Sequence, residues 1–187
     1  MSDIWLISDT HFHHENILKF KDNQGNLVRG QHFSDVDHMD ECMLENWNSV
    51  VKPGDKVYHL GDVMVGGSKE KFTKFWSRLN GSKRLIVGNH DDIKWFANGG
   101  FFAKIQMWRM FPEMGLILSH VPMHHQSTMR YGSKDDVERV NFPKEPEQLL
   151  NIHGHIHQNP SPPGPYRCVC VEQINYTPIN IEELRIK

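Results

Sequence analysis

Ile4-Trp5-Leu6-Ile7-Ser8-Asp9-Thr10-His11 sets the pattern from which the fold is read. A short apolar run of this kind is the mark of a buried strand. It ends in residue types that bind metals, Asp9 and His11. The same succession returns along the chain. The run 57–60 leads into Gly61 and Asp62. The run 84–87 leads into Gly88, Asn89, His90 and Asp91. The run 116–118 leads into Ser119 and His120, and the run 149–152 into His153, Gly154, His155 and His157. In an open α/β sheet, ligands bind at the carboxyl ends of strands. These residues are therefore expected to converge on one crevice, although they are scattered through the sequence. Glycines 61, 88 and 154 stand directly before the polar groups, where they let the backbone turn sharply or approach a bound ion closely.

The rest of the chain reads as a layered α/β protein. A sixth strand is expected over 168–171, and 103–111 reads as a hairpin-like edge, because Lys104, Gln106 and Arg109 interrupt its apolar pattern. Ser34 is the expected cap of a helix carrying Val36, Met39, Met43, Trp47 and Val50 on one face, ended by Lys52-Pro53-Gly54. Ser68 is the expected cap of a second helix, with Phe72, Phe75, Trp76 and Leu79 inward. A shorter helix is expected around 15–20. The stretch 121–147 has no clear period and carries Arg130, Tyr131 and Arg139. A loop of that length in a compact domain is usually functional or disordered.

Composition narrows the class. A length of 187 residues fits one domain, 1–187. Lys plus Arg number 21 against 23 Asp plus Glu, a balance that argues against a strongly basic nucleic-acid module. Three cysteines, Cys42, Cys168 and Cys170, cannot build a disulfide framework and suit a reducing compartment. No run approaches the ~20 apolar residues of a membrane span, and the N-terminus lacks the basic region of a signal peptide. The expectation is a cytoplasmic protein without a membrane partner.

Thirteen histidines are the unusual feature. His59 and His153 fall inside strand patterns and read as core or supporting residues. His13, His14, His32, His38, His124 and His125 read mainly as solvated, although His13, His14, His124 and His125 lie close enough in sequence to the strand-end set to line it. The strand-end set offers carboxylate, amide and imidazole but no thiolate, which suits Mn, Fe, Zn, Ni or Co. It is too large for one ion and about right for two divalent ions sharing a carboxylate, the arrangement that clamps both oxygens of a phosphoryl displacement.

With these blocks in view, the sequence resembles the calcineurin-like metallophosphoesterases. The matching motifs are Asp9-Thr10-His11, Gly61-Asp62, Gly88-Asn89-His90-Asp91, His120 and Gly154-His155-Ile156-His157, in family order. The stretch 8–17 and Asn46-Trp47-Asn48 look like the small bacterial and phage-encoded branch. The resemblance implies a two-layered β-sandwich flanked by helices. It implies one metal on Asp9, His11, Asp62 and His157, and a second on Asp62, Asn89, His120 and His155, with Asp62 bridging. His90 would serve the phosphoryl group or the leaving group, and Asp91 would orient His90. A hydroxide held between the ions would attack phosphorus in line.

The residues Val63-Met64-Val65 stand where protein phosphatases of the superfamily carry a phosphate-gripping arginine, so protein phosphatase activity is not expected. The expected activity is hydrolysis of a phosphodiester or phosphomonoester in a small molecule such as a nucleotide. Two alternatives stand beside it. One is a nuclease or end-processing enzyme using Lys69, Lys71, Lys74, Arg78, Lys83 and Arg84 as a basic face. The other is a non-catalytic metal-binding scaffold, which the complete ligand set disfavours.

Overall fold

Why a short apolar run makes a strand buried on both faces is visible in the first one. In β1 (Ile4–Ile7), Leu6 and Ile7 are adjacent and both fully buried, but they enter different cores. Alternate side chains of a strand leave opposite faces. The next two strands, β2 (Lys56–His59) and β3 (Ser82–Ile86), repeat the division, with Val57 and Leu85 in one core and Tyr58 and Ile86 in the other. The computed structural model describes residues 2–130 and 147–185.

The first core lies under three helices, α1 (Val36–Val50), α2 (Lys69–Trp76) and α3 (Ile93–Gly99). Met39, Met43 and Trp47 line the buried face of α1, as their spacing of three and four requires. Asp35, not Ser34, caps this helix. Its carboxylate accepts from the His38 amide at 2.8 Å, while Ser34 Oγ donates to Asp35. Ser68 caps α2 as expected, accepting from the Lys71 amide at 3.0 Å. Leu79 is buried beyond the end of α2, in the turn that follows it. The segment Glu15–Lys19 is a 3₁₀ turn.

The second core is a sandwich filling. One sheet has the order β11-β1-β2-β3-β4, with β4 at Lys104–Gln106 and β11 at Ile179–Asn180. The other has the order β10-β9-β6-β5, with β5 at Trp108–Phe111, β6 at Leu116–Ser119, β9 at Leu150–His153 and β10 at Tyr166–Cys168. A two-residue pair, β7 (Met129–Arg130) with β8 (Glu147–Gln148), stands apart. Leu118 and Ile152 of the second sheet meet Leu6, Leu60 and Ile86 of the first. The expected hairpin at 103–111 is instead a crossover: β4 is the edge of one sheet and β5 the edge of the other, with Met107 between them. The expected strand at 168–171 also crosses. After β10 the Val169 amide still bonds His153, but Val169 and Val171 then pair with Ser8 of the first sheet.

Strands β1 to β4 run parallel, and β6 runs parallel to β9. The carboxyl ends of both sets meet at one end of the sandwich, where residues following β6 and β9 touch residues following β3 and β1. Asp9, Asp62, Asn89, His120, His155 and His157 all follow those ends. Among the described residues no helix is long and apolar enough to cross a membrane.

His59 is fully buried, as a strand-interior residue should be. Thr10 Oγ1 donates to the Val63 carbonyl, so His59 Nε2 must carry the proton that joins it to Thr10 at 2.9 Å. Burial, with a smaller push from His120, lowers its pKa from 6.5 to about 3. Below 6.5 the unfolded chain takes up this proton before the folded one, so stability falls as the pH drops from 6.5 through about 3. The urea midpoint of metal-free protein is expected to fall between about pH 7 and about pH 5, and to fall less in His59→Gln. Equal pH dependence in the two proteins would contradict this account.

Candidate metal centre

Asp9 leaves β1 with its two carboxylate oxygens in different surroundings. Oδ2 accepts from Ser8 Oγ at 2.5 Å, the His155 amide at 2.8 Å and Cys170 Sγ at 3.2 Å. Oδ1 is buried with no hydrogen-bond partner. It lies 3.9 Å from His11 Nε2 and 3.9 Å from His157 Nε2. Both His11 nitrogens are likewise buried and unpartnered. Burial, Arg29 and the neighbouring imidazoles push the His11 pKa far down, leaving the ring neutral. Donor atoms of Asp9, His11 and His157 all lie within 4.8 Å of one another.

The second cluster is Asp62, His120 and His155, again within 4.8 Å. His120 Nδ1 lies 2.7 Å from the Leu60 carbonyl, which can only accept, so Nδ1 carries the proton. When the ring is neutral, the form in which an imidazole ligates a metal, Nε2 then presents a lone pair. It lies 2.9 Å from Asn89 Oδ1 and 3.2 Å from His155 Nδ1, and the latter two are 3.0 Å apart. In that form two lone pairs face each other at 2.9 Å across His120 and Asn89. A cation resolves that conflict. Donors bound at about 2.0–2.2 Å to one ion stand roughly 3 to 3.5 Å apart, which is the spacing of this triangle.

Asp62 joins the clusters. Its Oδ2 is 3.7 Å from His11 Nε2 and 3.5 Å from His120 Nε2, so one oxygen faces both. Its Oδ1 accepts from the His90 amide at 2.9 Å. The His90 ring is exposed at the rim, edge-on to His11 at 5.7 Å between centroids.

Asp91 corrects the expectation that it orients His90. Its carboxylate accepts from the amides of Asp62, Val63 and Gly88, at 3.2, 2.9 and 2.7 Å. It therefore holds the loop that carries Asp62, and burial raises its pKa.

Five of these residues are held in the left-handed region: Asp9, His11, Asp62, His155 and His157, with φ between 48 and 72°. Backbone strain of that kind costs on the order of 1 kcal/mol or more per residue and persists where the surroundings dictate it, typically at functional sites. Gly154 meets the expectation of close approach. A Cβ there would stand 2.0 Å from Ser8 Oγ and 2.4 Å from Asp9 Oδ2. Unpartnered buried donors, facing lone pairs and strained backbone together fit a metal-binding role.

The description "Calcineurin-like phosphoesterase" matches residues 2–177 of the chain. The chain belongs to the calcineurin-like phosphoesterase family. It is 32% identical over 190 residues to the uncharacterized protein MJ1445 of Methanocaldococcus jannaschii, covering 97% of this chain and 89% of that one. It is 37% identical over 176 residues to the gene 66 protein of Mycobacterium phage L5, covering 84% and 78%. Among solved structures it superimposes on AQ665 of Aquifex aeolicus, a protein of unknown function, with a TM-score of 0.66, 30% identity and 98% of both chains covered. Its two sheets with flanking helices are consistent with the calcineurin-like fold.

Sequence reasoning missed the groups that hold this calcineurin-like site in place. Arg29 is fully buried. Its Nη2 donates to the Asp9 carbonyl at 2.6 Å and its Nη1 to the Thr10 carbonyl at 2.8 Å, which fixes the loop between the first two ligand candidates. Its Nε and Nη2 also hold Glu172 Oε1, at 2.8 and 2.7 Å. Glu172 in turn accepts from His157 Nδ1 at 2.9 Å, which leaves His157 Nε2 free to face Asp9. Burial, the largest single influence, would raise the Glu172 carboxyl, but the Arg29 charge together with the hydrogen bond and charge of His157 outweighs it and holds the pKa at about 2. For His157, burial pulls downward, while Glu172 and Asp9 win and shift it upward.

His13 was expected in solvent and is buried instead, its Nδ1 2.5 Å from Asp40 Oδ2. Asp40 interrupts the apolar face of α1, one turn beyond Val36 and three residues before Met43, and that misplaced carboxylate was the available signal. His153 is satisfied as expected, by the Gly154 carbonyl and Ser161 Oγ. Tyr131 and Arg139 lie outside the described residues.

Glu172→Gln is expected to lower metal affinity at the His157 side about 10- to 100-fold, as removal of a histidine-orienting carboxylate does. It should also cost about 3–5 kcal/mol of stability, because Arg29 is left buried without its counter-charge. Metal titration and urea unfolding check the two effects. Unchanged affinity would mean that Glu172 serves only Arg29.

Proposed function

We propose that the protein is a dinuclear metal-dependent phosphoesterase acting on a small phosphate ester. The observation that carries the proposal is Asp62 Oδ2, which faces His11 Nε2 and His120 Nε2 at 3.7 and 3.5 Å and so stands between two separate donor clusters. Asp9, His11 and His157 would hold one ion; Asn89, His120 and His155 would hold the other. Bound there, two divalent ions supply an acidified water at neutral pH and positive charge beside the phosphoryl oxygens.

The chain's own groups do the rest. His90, on the exposed rim and tied through its amide to Asp62, is placed to donate a proton to a departing oxygen. Arg29 and Glu172 keep Asp9 and His157 aimed inward. The basic face that a nuclease would use is largely spent on the protein's own acids. Lys69, Lys71, Lys74 and Arg78 pair with Asp92, Asp37, Glu70 and Glu41. Lys83 donates to the Leu79 carbonyl. Cys42, Cys168 and Cys170 are free thiols, in keeping with a reducing compartment such as the cytoplasm.

The test is turnover of a generic aryl phosphodiester and its monoester by protein loaded in turn with Mn, Ni, Zn and Mg. Hydrolysis with at least one metal, abolished by chelation, is the expected outcome. No turnover of generic or nucleotide esters with any metal would overturn the catalytic reading.

A further inference from the structure

Next to the candidate centre is a cavity of about 360 Å³ that shares two of its walls, Asn89 and His120. Its remaining side chains are largely apolar, with Met107, Trp108, Val121 and Met123 foremost. Three of these are unusually exposed: Met107 at 67%, Trp108 at 52% and Val121 at 46%. Only Phe20, Leu27 and Ile93 share that exposure among the large apolar side chains of the described residues. Half of the set thus lines one cavity, and that cavity opens beside the metal-binding residues. Exposed apolar surface gathered in this way marks a binding site more often than scattered single residues do.

The fold explains the placement. β5 pairs antiparallel with β6 so that Trp108 stands opposite Ser119, one residue before His120. Met107 is the crossover between the two sheets. The indole is therefore carried on an edge strand at the end of the sandwich where the ligands collect. Among the described residues no other aromatic ring stacks on it, whereas Trp47, Trp76 and Trp95 each pack against aromatic neighbours.

We propose that this cavity seats the base of a mononucleotide whose phosphate lies at the metal centre. The proposal rests on the phosphoesterase reading and adds the substrate class. A flat ring attached to the phosphate through a sugar suits an indole wall with two thioethers beside it. Among the described residues no charged side chain lines the cavity, so none of them offers a partner to a second phosphate or a carboxylate there. A polynucleotide is disfavoured because the α2 lysines are already paired with acids.

The experiment is calorimetric titration of Mn-loaded protein with inorganic phosphate, ribose 5-phosphate, adenosine 5′-monophosphate and a single-stranded oligonucleotide. Stacking of a base on an aromatic side chain is worth about tenfold or more in affinity. Adenosine monophosphate is expected to bind at least about tenfold tighter than ribose 5-phosphate. Trp108→Ala should bring the two together while leaving inorganic phosphate unchanged, and Trp108→Phe should keep most of the preference. Equal binding of the two sugar phosphates by the wild-type protein overturns the proposal without any variant. So does tighter binding of the oligonucleotide than of the mononucleotide. If phosphate binds and the base adds nothing, the phosphoesterase reading survives and only the cavity assignment falls. If phosphate itself fails to bind, both fall.

Discussion

Asp62→Asn is expected to cut turnover by about 10³ or more, the largest effect of any single ligand substitution, because ions at such a site supply several kcal/mol of transition-state stabilisation. Oδ2 faces His11 on one side and His120 on the other, so its charge serves both donor clusters. Asparagine keeps an oxygen able to accept from the His90 amide, as Oδ1 does now at 2.9 Å, so the loop should hold its shape. What is lost is the negative charge shared between two sites. Metal analysis of the variant should show reduced occupancy at both. Loss of one ion with most activity kept would refute the bridging assignment. So would full occupancy with wild-type turnover.

His90→Ala is the second large effect, and it should separate chemistry from metal binding. The imidazole is exposed at the rim, and only its backbone amide touches Asp62. Both metals are therefore expected to stay. General acid help is typically worth about 10² to 10⁴ in rate. A loss of that order is expected for an ester with a poor leaving group, and a smaller one for nitrophenolate, which departs without a proton. Equal loss on both substrates with metals intact would make His90 a stabiliser of the phosphoryl oxygens. Loss of a metal would make it a ligand, against the assignment above.

The strand ends were legible in sequence because each begins with a short apolar run and ends in a polar side chain with few structural uses there. Ile4–Ile7 followed by Asp9 and His11 is the clearest case. The supporting groups were not legible, because nothing local marks them. Arg29 sits in a polar segment that shows no period, yet it is fully buried by partners from the loop after β1 and from Glu172, more than a hundred residues away. The crossover at Met107 was hidden for a different reason. Residues on both sides of it are strand-like, and the change of sheet is a tertiary event. Ser34 and Asp35 are adjacent and both good caps, and only the backbone decides which one reaches the His38 amide. The left-handed φ values of Asp9, His11 and Asp62 also leave no trace in composition, since these are ordinary residues forced into place by packing.

Two ions sharing Asp62 are the centre of the proposed chemistry. Crystals of Mn-loaded protein, measured at the manganese absorption edge, test this in one map. The prediction is two anomalous peaks, one against Asp9, His11 and His157, the other against Asn89, His120 and His155, with the Asp62 carboxylate touching both. A single peak, or two peaks of which Asp62 touches only one, would contradict it.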